Sequence, residues 1–276
     1  METFFSLLER RVDDCSSLLC VGLDPHVDEL QSPSADAARE YCLRLVKAAA
    51  PYAAAFKPNA AFFERFGPEG WTALKQVIDA IREESRRLGS HIPVILDAKR
   101  GDIASTAEAY AASAFHGLGA DAITLSPYLG RDSIEPFLND PEHGVFILCK
   151  TSNAGAQDLQ DLKVERPGQQ PVPLYLHVAE IARGWNVHRN VGLVVGATYP
   201  ETLAEVRAAA PGLWFLVPGV GAQGGDLDAA LQAGLRQDGM GVLINISRGI
   251  AHAADPRNTA ASLRDQMIGI RRALQK

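Results

Sequence analysis

The chain has 276 residues, a formal net charge of −6, 47% hydrophobic residues and 22% charged residues. This composition is ordinary for a globular protein, and the length suits one large α/β domain or two small ones. The negative charge and the lack of a basic stripe argue against a nucleic-acid binder, and no apolar run reaches the ~18 residues of a membrane span. We expect a cytoplasmic protein that binds neither nucleic acid nor membrane.

The amino terminus and the cysteines agree with that location. Residues 1–11 carry an acidic residue early and lack a long apolar stretch, so they predict a short amphipathic helix rather than a signal peptide. Cys15, Cys20, Cys42 and Cys149 show no CxxC spacing. Four reduced thiols are the simplest interpretation.

Short apolar runs typical of buried parallel strands alternate with helical patterns along the chain. The predicted strands are Leu18–Leu23, Ala53–Pro58, Pro93–Asp97, Ala122–Leu125, Val145–Cys149, Gly192–Gly196, Trp214–Val217 and Val242–Ile246. The predicted helices are Ala35–Ala50, Gly70–Leu88, Ala104–Leu118, Ser133–Leu138, Val172–Trp185, Pro200–Ala209, Leu227–Leu235 and Thr259–Leu274.

Eight strand–helix units in about 250 residues match a (β/α)8 barrel. A doubly wound open sheet is the alternative, because local patterns do not distinguish a closed sheet from an open one. No linker to a second domain is present. We therefore predict an α/β fold in which residues 1–276 form a single (β/α)8 TIM-barrel catalytic domain with an extra N-terminal helix.

One segment interrupts the alternation. Residues 153–173 are polar and rich in Gly, Pro and Gln, and they follow the fifth predicted strand. Loops of this length are usually functional or disordered. We expect a partly mobile lid on the catalytic face, with a surface insertion as the alternative.

The third predicted strand ends in a cluster of opposed charges. Asp97 and Lys99 are two residues apart, so an extended strand would point both side chains to the same side. Asp102 follows at the start of a helix rich in small residues. An acidic, a basic and a second acidic residue at the carboxyl end of a strand indicate a catalytic role more than a role in stabilising the fold.

Other polar residues collect at the same ends of the predicted strands, where barrels build their active sites. They are Asp24, Lys57, Ser126, Tyr128, Lys150, Thr151, Ser152, Thr198, Gln223 and Arg248. Taken singly, each has a structural explanation. Asp24 could cap a turn before Pro25, and Asp102 could be the N-cap of a helix. Lys57 could extend its apolar stem through hydrophobic surroundings so that its ammonium reaches solvent. Their joint arrival on one face favours a functional site.

A glycine-rich loop follows the seventh strand. Gly219, Gly221 and Gly224 match GxGxxG, but the match lies near the C-terminus and the next strand ends without an acidic residue for a ribose. Barrels often bind phosphate in the loops after strands seven and eight, and Arg248 supplies a charged fork there. We therefore predict a phosphorylated ligand rather than a dinucleotide.

Other chemistries have less support. GxSxG and HExxH are absent, and the seven histidines have no ligand spacing. A metal held by Asp24, Asp97 and Asp102 is conceivable, but Lys57 and Lys99 would already neutralise that cluster.

Together these motifs resemble the orotidine 5′-phosphate decarboxylase family. The matching residues, in family order, are Asp24-Pro25, Lys57, Asp97-x-Lys99-x-x-Asp102-Ile103-x-x-Thr106, Pro218 to Asp226 and Arg248-Gly249. Phe56-Lys57-Pro58-Asn59 and Lys150-Thr151-Ser152-Asn153 suggest the longer bacterial-type subfamily. Ala154 departs from the family pattern, which has a proline there.

The resemblance implies the residue roles. Lys57, Asp97, Lys99 and Asp102 would form an alternating charged network in which Lys99 protonates the carbon that loses CO2 and Asp97 lies near the substrate carboxylate. Asp24 and Lys57 would bind ribose hydroxyls, Ser152 the pyrimidine, and Gln223 and Arg248 the phosphate. Gly249 would be a further substrate-binding residue. Asp102, Ile103 and Thr106 would reach into a partner subunit, so the resemblance implies a homodimer with shared active sites. It implies no metal and no organic cofactor.

The predicted reaction is the decarboxylation of orotidine 5′-monophosphate to uridine 5′-monophosphate, the last step of de novo pyrimidine nucleotide synthesis. The enzymatic alternative is a related sugar-phosphate decarboxylase or lyase that uses magnesium, in which an acidic ligand would replace Lys57. The non-enzymatic alternative is a nucleotide-phosphate sensor, for which Lys99 beside Asp97 would have no use. The sequence leaves open whether Thr198 or Tyr128 contacts a ligand.

Overall fold

A computed structural model of the chain describes residues 2–221 and 224–274. Its main sheet contains eight strands, all parallel. In chain order these strands are β1 (Leu19–Leu23), β2 (Ala55–Pro58), β3 (Ile95–Arg100), β4 (Ala122–Leu125), β5 (Gly144–Lys150), β8 (Val191–Val195), β9 (Trp214–Pro218) and β10 (Val242–Ile246). Their order across the sheet is β2-β1-β10-β9-β8-β5-β4-β3. Strands β6 (Lys163–Arg166) and β7 (Gln169–Pro173) form a separate antiparallel hairpin.

The two edge strands of the main sheet meet and close it. Bridges join Phe56 to Val94 and Asn59 to Asp97, and both bridges are parallel. The sheet is therefore a barrel, as predicted, and the open doubly wound alternative is wrong.

Helices follow the strands and cover the outside of the barrel. They are α1 (Phe4–Cys15), α2 (Ala35–Ala49), α3 (Ala60–Glu64), α4 (Gly67–Leu88), α5 (Ala104–Ala112), α6 (Glu135–Leu138), α7 (Leu174–Trp185), α8 (Pro200–Ala209), α9 (Leu227–Gly234), α10 (Arg248–Ala251) and α11 (Pro256–Leu274). The predicted helix at residues 104–118 continues beyond α5 as a π-helical segment, Ser113–Leu118, and the one at residues 133–138 is only a short 3-10 turn followed by α6.

The predicted N-terminal helix is present as α1 and packs across the amino-terminal end of the barrel. The Phe5 ring stacks on Trp214 with centroids 6.1 Å apart, and the Phe4 ring meets the edge of Phe146 at 6.1 Å. Arg11 Nη2 donates to the carbonyl of Ala50 over 2.6 Å. This end of the barrel is filled with side chains, which leaves the opposite, carboxyl end for a ligand.

The segment predicted as a long irregular loop is partly regular. It contains a 3-10 turn at Ala154–Asp158 and then the β6–β7 hairpin, in which Lys163 pairs with Pro173. The prediction missed the hairpin because its strands are short and largely polar. Its role as a mobile lid stays a prediction.

The four cysteines are free and buried, as expected for reduced thiols, and burial raises the pKa of the Cys15 thiol to about 11. Within the described ranges, no helix is long and apolar enough to cross a membrane. The single-domain assignment stays a prediction.

Candidate active site

Two adjoining cavities open at the carboxyl ends of the strands and share the side chains of Lys57, Asp97 and Pro218. The first, of about 350 Å³, is here called the polar lobe, and it is also lined by Asp24, His26, Asn59, Phe62, Gly219, Val220, Asn245, Ser247 and Arg248. The second, of about 230 Å³, is here called the apolar lobe, and it is also lined by Lys99, Thr124, Leu148, Thr151, Ser152, Asn153, Val194 and Leu216. The cleft therefore suits an elongated ligand with one polar end.

Where the two lobes meet, one carboxylate is held between two lysines. Lys57 Nζ lies 2.7 Å from Asp97 Oδ2, and Lys99 Nζ lies 2.5 Å from Asp97 Oδ1. The side chains of Lys57 and Asp97 are 5% and 10% exposed, whereas that of Lys99 is 49% exposed. The network therefore has a fixed buried end and an accessible ammonium that faces the apolar lobe.

These contacts set the charges of the buried pair. Burial alone would raise the pKa of Asp97, but the charges of Lys57 and Lys99 hold it well below its usual range. Burial would lower the pKa of Lys57, but the negative charges of Asp97 and Asp24 raise it above its ordinary value. Both groups are therefore ionised throughout the physiological pH range.

A backbone irregularity places Lys99. The β3–β4 register shifts between Leu96 and Arg100, and Lys99 adopts a left-handed conformation with φ of 49°. Such a φ at a non-glycine residue costs roughly 1–3 kcal/mol. The contact between Lys99 and Asp97 therefore arises from a bulge and not from the regular two-residue alternation that the sequence analysis assumed.

Two neighbouring residues support this bulge. Thr124 Oγ1 accepts hydrogen bonds from the amides of Ala98 and Lys99, each over 3.0 Å. Gly101 lies so close to β4 that a Cβ atom there would approach the Ser126 carbonyl oxygen to 2.6 Å. Only glycine fits at that position without moving the chain.

Three predicted site residues lie outside this cleft. Asp102 forms no ion pair with any residue in 2–221 or 224–274, and its Oδ1 accepts from the Ile103 amide over 2.8 Å. Helix α5 has Ile103 as its N-cap residue, without a side-chain cap, so the N-cap explanation of Asp102 is wrong. Ile103 and Thr106 are exposed and do not line either lobe.

The polar lobe contains most of the predicted phosphate and ribose residues. Asp24 and Arg248 line it, and Arg248 is exposed and has no ion pair with the described part of the chain. Gly219, at the start of the glycine-rich loop, has a φ of 98°, which glycine adopts at little cost. Gly249 lies in the first turn of α10 and does not line the lobe. Gln223 lies outside the described residues.

The remaining strand-end residues differ in their surroundings. Ser152 lines the apolar lobe, whereas Lys150 bonds to Asp161 with its Nζ 2.5 Å from Oδ1. Tyr128 is 83% exposed and lines neither lobe. Thr198 Oγ1 is buried without a hydrogen-bond partner in the described ranges.

Sequence reasoning missed several lining residues. Thr124 and Asn245 lie inside apolar strand runs, where a single polar residue gives no distinct pattern. Asn245 is 9% exposed, and its Oδ1 accepts no hydrogen bond from the residues described. Asn59 also lines the polar lobe and bridges to Asp97 through the backbone; it was quoted only as part of a motif.

The donor side chains of the cleft do not match those of a metal site in the described part of the chain. Among residues 2–221 and 224–274, no group of three or more His, Cys, Asp or Glu side chains is arranged to hold a metal ion. Both oxygens of Asp97 already face lysine ammonium groups. The conceived cluster of Asp24, Asp97 and Asp102 therefore does not form in the described chain.

A sequence model of the orotidine 5′-phosphate decarboxylase / HUMPS family matches residues 17–263. The chain belongs to this family. It is 48% identical to orotidine 5′-phosphate decarboxylase of Roseiflexus sp. (strain RS-1) over 264 residues, which cover 94% of this chain and 92% of the relative.

Two solved structures from Leishmania donovani share the architecture. One, of OMP decarboxylase, has a TM-score of 0.86 and 56% identity, covering 98% of this chain and 99% of the other. The other, of UMP synthase, has a TM-score of 0.88 and 57% identity; the match covers 98% of this chain but 57% of that longer chain. The family fold is a TIM barrel, as the sequence analysis predicted.

Proposed function

We propose that this chain decarboxylates orotidine 5′-monophosphate to uridine 5′-monophosphate and CO2, as a carboxy-lyase of pyrimidine nucleotide synthesis. The observation that carries the proposal is the Lys57–Asp97–Lys99 network at the junction of a polar and an apolar lobe. Family membership and near-complete coverage of relatives named orotidine 5′-phosphate decarboxylase support it.

The cleft matches the two ends of such a substrate. The apolar lobe offers Leu148, Val194 and Leu216 to the faces of a pyrimidine ring, and Ser152 to its polar edge. The polar lobe offers Asp24 and Lys57 to ribose hydroxyls and Arg248 to the phosphate. Arginine suits this position because its planar guanidinium can donate two parallel hydrogen bonds to a phosphate.

The reaction breaks the bond between the pyrimidine C6 atom and its carboxylate, and the electron pair stays on C6 as CO2 leaves. The Lys99 ammonium stabilises this developing negative charge and then transfers its proton to C6. Solvent returns a proton to Lys99, which is half exposed. Because Asp97 holds Lys99 in place before the reaction, little reorganisation is needed when the charge develops.

Asp97 has a second proposed effect. Both of its oxygens are bonded to lysines and it remains ionised, so a substrate carboxylate placed beside it would be repelled. Loss of CO2 would relieve that repulsion. This ground-state contribution is additional to the stabilisation of the transition state by Lys99.

We also propose that the active enzyme is a homodimer with shared sites. Asp102 has no cationic partner within the described chain, and Ile103 beside it is 55% exposed. Tyr128 and Leu129, which follow the adjacent strand β4, are 83% and 48% exposed. Exposed large apolar side chains at this end of the barrel support an interface there, and a partner's Asp102 would complete the charged network.

A mixed dimer tests the shared sites. Lys99→Ala and Asp102→Ala chains are each expected to be inactive alone. Because random mixing places one intact site in each heterodimer, equal amounts should recover about one quarter of wild-type activity. Recovery no greater than the sum of the two separate variants would show that each site is self-contained.

The decarboxylase activity is tested by following loss of orotidine 5′-monophosphate and release of CO2 in the presence of EDTA. We expect equal amounts of uridine 5′-monophosphate and CO2, at a rate that EDTA does not change. A magnesium-dependent lyase would lose its activity in EDTA. That alternative is not favoured, because both oxygens of Asp97 already face the ammonium groups of Lys57 and Lys99.

A further inference from the structure

Gln160 and Asp161 of the loop after β5 bond to Thr151 and Lys150, which lie at the end of that strand. Asp161 Oδ1 lies 2.5 Å from Lys150 Nζ. Gln160 Oε1 accepts from the Thr151 amide over 2.9 Å, and Gln160 Nε2 donates to Thr151 Oγ1 over 2.8 Å. The side-chain carboxamide of Gln160 therefore bonds to both the backbone and the side chain of Thr151.

The backbone of Gln160 is itself anchored. Its amide donates to the Ala156 carbonyl over 2.8 Å, and its carbonyl accepts from the amide of Tyr175 in the first turn of α7 over 3.0 Å. The Leu174 amide bonds to the Leu162 carbonyl over 2.8 Å. The backbone of Gln160 is thus held by helix α7 of the barrel, and its side chain extends from there to Thr151.

Lys150 reinforces the same attachment. It is 7% exposed, and its Nζ lies 5.3 Å from the centre of the Tyr175 ring as well as beside Asp161. Its charge is therefore used to hold the loop against α7. This explains why a lysine at a strand end, which the sequence analysis counted among the candidate functional residues, does not line either lobe of the cleft.

Thr151 and the next residue, Ser152, both line the apolar lobe. The Thr151 hydroxyl donates to Asn153 Oδ1 over 2.6 Å while it accepts from Gln160, so its orientation is fixed from two sides. Because Thr151 is held by both its backbone amide and its hydroxyl, the peptide bond that leads to Ser152 has little conformational freedom.

We propose that Gln160 is a positioning residue that fixes Ser152 against the pyrimidine ring and so contributes to recognition of the base. The proposal rests on the proposed function, because it takes the apolar lobe as the binding site of the base. Gln160 itself lines neither lobe of the cleft. Its effect reaches the ligand through Thr151 and Ser152.

The test compares two inhibitors that share a phosphate and a ribose. Uridine 5′-monophosphate carries the pyrimidine, and ribose 5-phosphate lacks it. In Gln160→Ala, we expect the inhibition constant of uridine 5′-monophosphate to rise about tenfold or more, because hydrogen bonds that order its site are lost. The inhibition constant of ribose 5-phosphate should stay within about twofold. A general loss of structure would weaken both ligands.

Two further variants separate positioning from folding. Gln160→Glu keeps an acceptor for the Thr151 amide but loses the donor to its hydroxyl, so it should give an intermediate inhibition constant for uridine 5′-monophosphate. Gln157→Ala removes an exposed glutamine from the same loop and should match the wild type. Melting temperatures of all variants are measured alongside.

The outcomes distinguish this inference from the proposed function. An active wild-type chain whose Gln160→Ala variant binds both inhibitors normally, or loses affinity for both equally, would overturn the positioning role alone. A wild-type chain with no turnover of orotidine 5′-monophosphate would overturn the proposed function and the inference with it.

Discussion

The hydroxyl of Thr124 donates a hydrogen bond to Asp97 Oδ1 over 3.0 Å. Thr124 Oγ1 in turn accepts a hydrogen bond from the backbone amide of Lys99, also over 3.0 Å. One buried threonine on β4 therefore fixes both the carboxylate of the charged network and the left-handed backbone that presents Lys99. This contact connects a local strain in β3 with the chemistry of the site.

Replacing Thr124 tests that connection. Thr124→Val keeps the shape of the side chain but removes all three hydrogen bonds, so Lys99 loses the support for its unusual backbone conformation. We expect kcat to fall about 10- to 100-fold while KM changes little, since Thr124 acts on positions rather than on substrate affinity. Thr124→Ser, which retains the hydroxyl, should recover most of the activity. Equal loss in both variants would contradict this role.

Arg248 is expected to contribute to rate as well as to affinity. It lines the polar lobe, whereas Lys99 lines the apolar lobe, and binding of a phosphate there can organise the surrounding loops and charges before the reaction. Arg248→Ala should therefore lower kcat/KM by at least about 100-fold with an unchanged melting temperature. The control is Arg257→Ala, an exposed arginine on α11. A value of kcat/KM within about threefold of the wild type would contradict the phosphate role of Arg248.

Asp121 is expected to stabilise the fold in a pH-dependent manner without affecting catalysis. It lies before β4, at the end of the barrel opposite the cleft, and it bonds to Arg82 over 2.8 Å and His91 over 3.1 Å. Burial would raise its pKa, but the hydrogen bond from His91 and the charge of Arg82 lower it below the ordinary 3.8. A carboxylate with a lowered folded-state pKa stabilises the protein above its unfolded-state pKa, and that contribution is lost as pH falls through the folded-state value.

The corresponding experiment is denaturant unfolding of wild type and Asp121→Asn. At neutral pH the variant should lose about 2 kcal/mol of unfolding free energy, because a buried ion pair is broken. The difference should shrink as pH falls below 3.8, where the carboxylate begins to protonate in the unfolded chain. We also expect the kcat of Asp121→Asn to equal that of the wild type. A difference that is constant from neutral to acidic pH would contradict the electrostatic explanation.

Much of the fold and the location of the candidate site could be predicted because barrel topology brings strand ends together. The alternation of apolar runs was enough to place Lys57, Asp97 and Lys99 on one rim. Their contacts could not be predicted, because the Lys99 bulge depends on a hydroxyl from β4, about 25 residues further along the chain. Thr124 gave no pattern of its own within an apolar strand.

Residues whose partners are distant in sequence were the least predictable. Lys150 was counted among the candidate functional residues, yet it is held by Asp161 from a segment expected to be irregular. The β6–β7 hairpin escaped prediction because its polar residues lack a clear two-residue alternation. Asp102, Ile103 and Thr106 do not line either lobe of the cleft. The role proposed for them depends on a second copy of the chain, which the pattern of a single sequence does not place.

The most direct test is CO2 release from orotidine 5′-monophosphate by the wild type and by Lys99→Ala. The control is Lys75→Ala, which removes a partly exposed lysine paired with Asp79 on α4. We predict rapid release by the wild type and by the control, and a rate at least about 1,000-fold lower for Lys99→Ala, because the variant lacks both the charge and the proton that C6 requires. Release by Lys99→Ala at a rate close to that of the wild type would contradict the assignment of Lys99 as the proton donor.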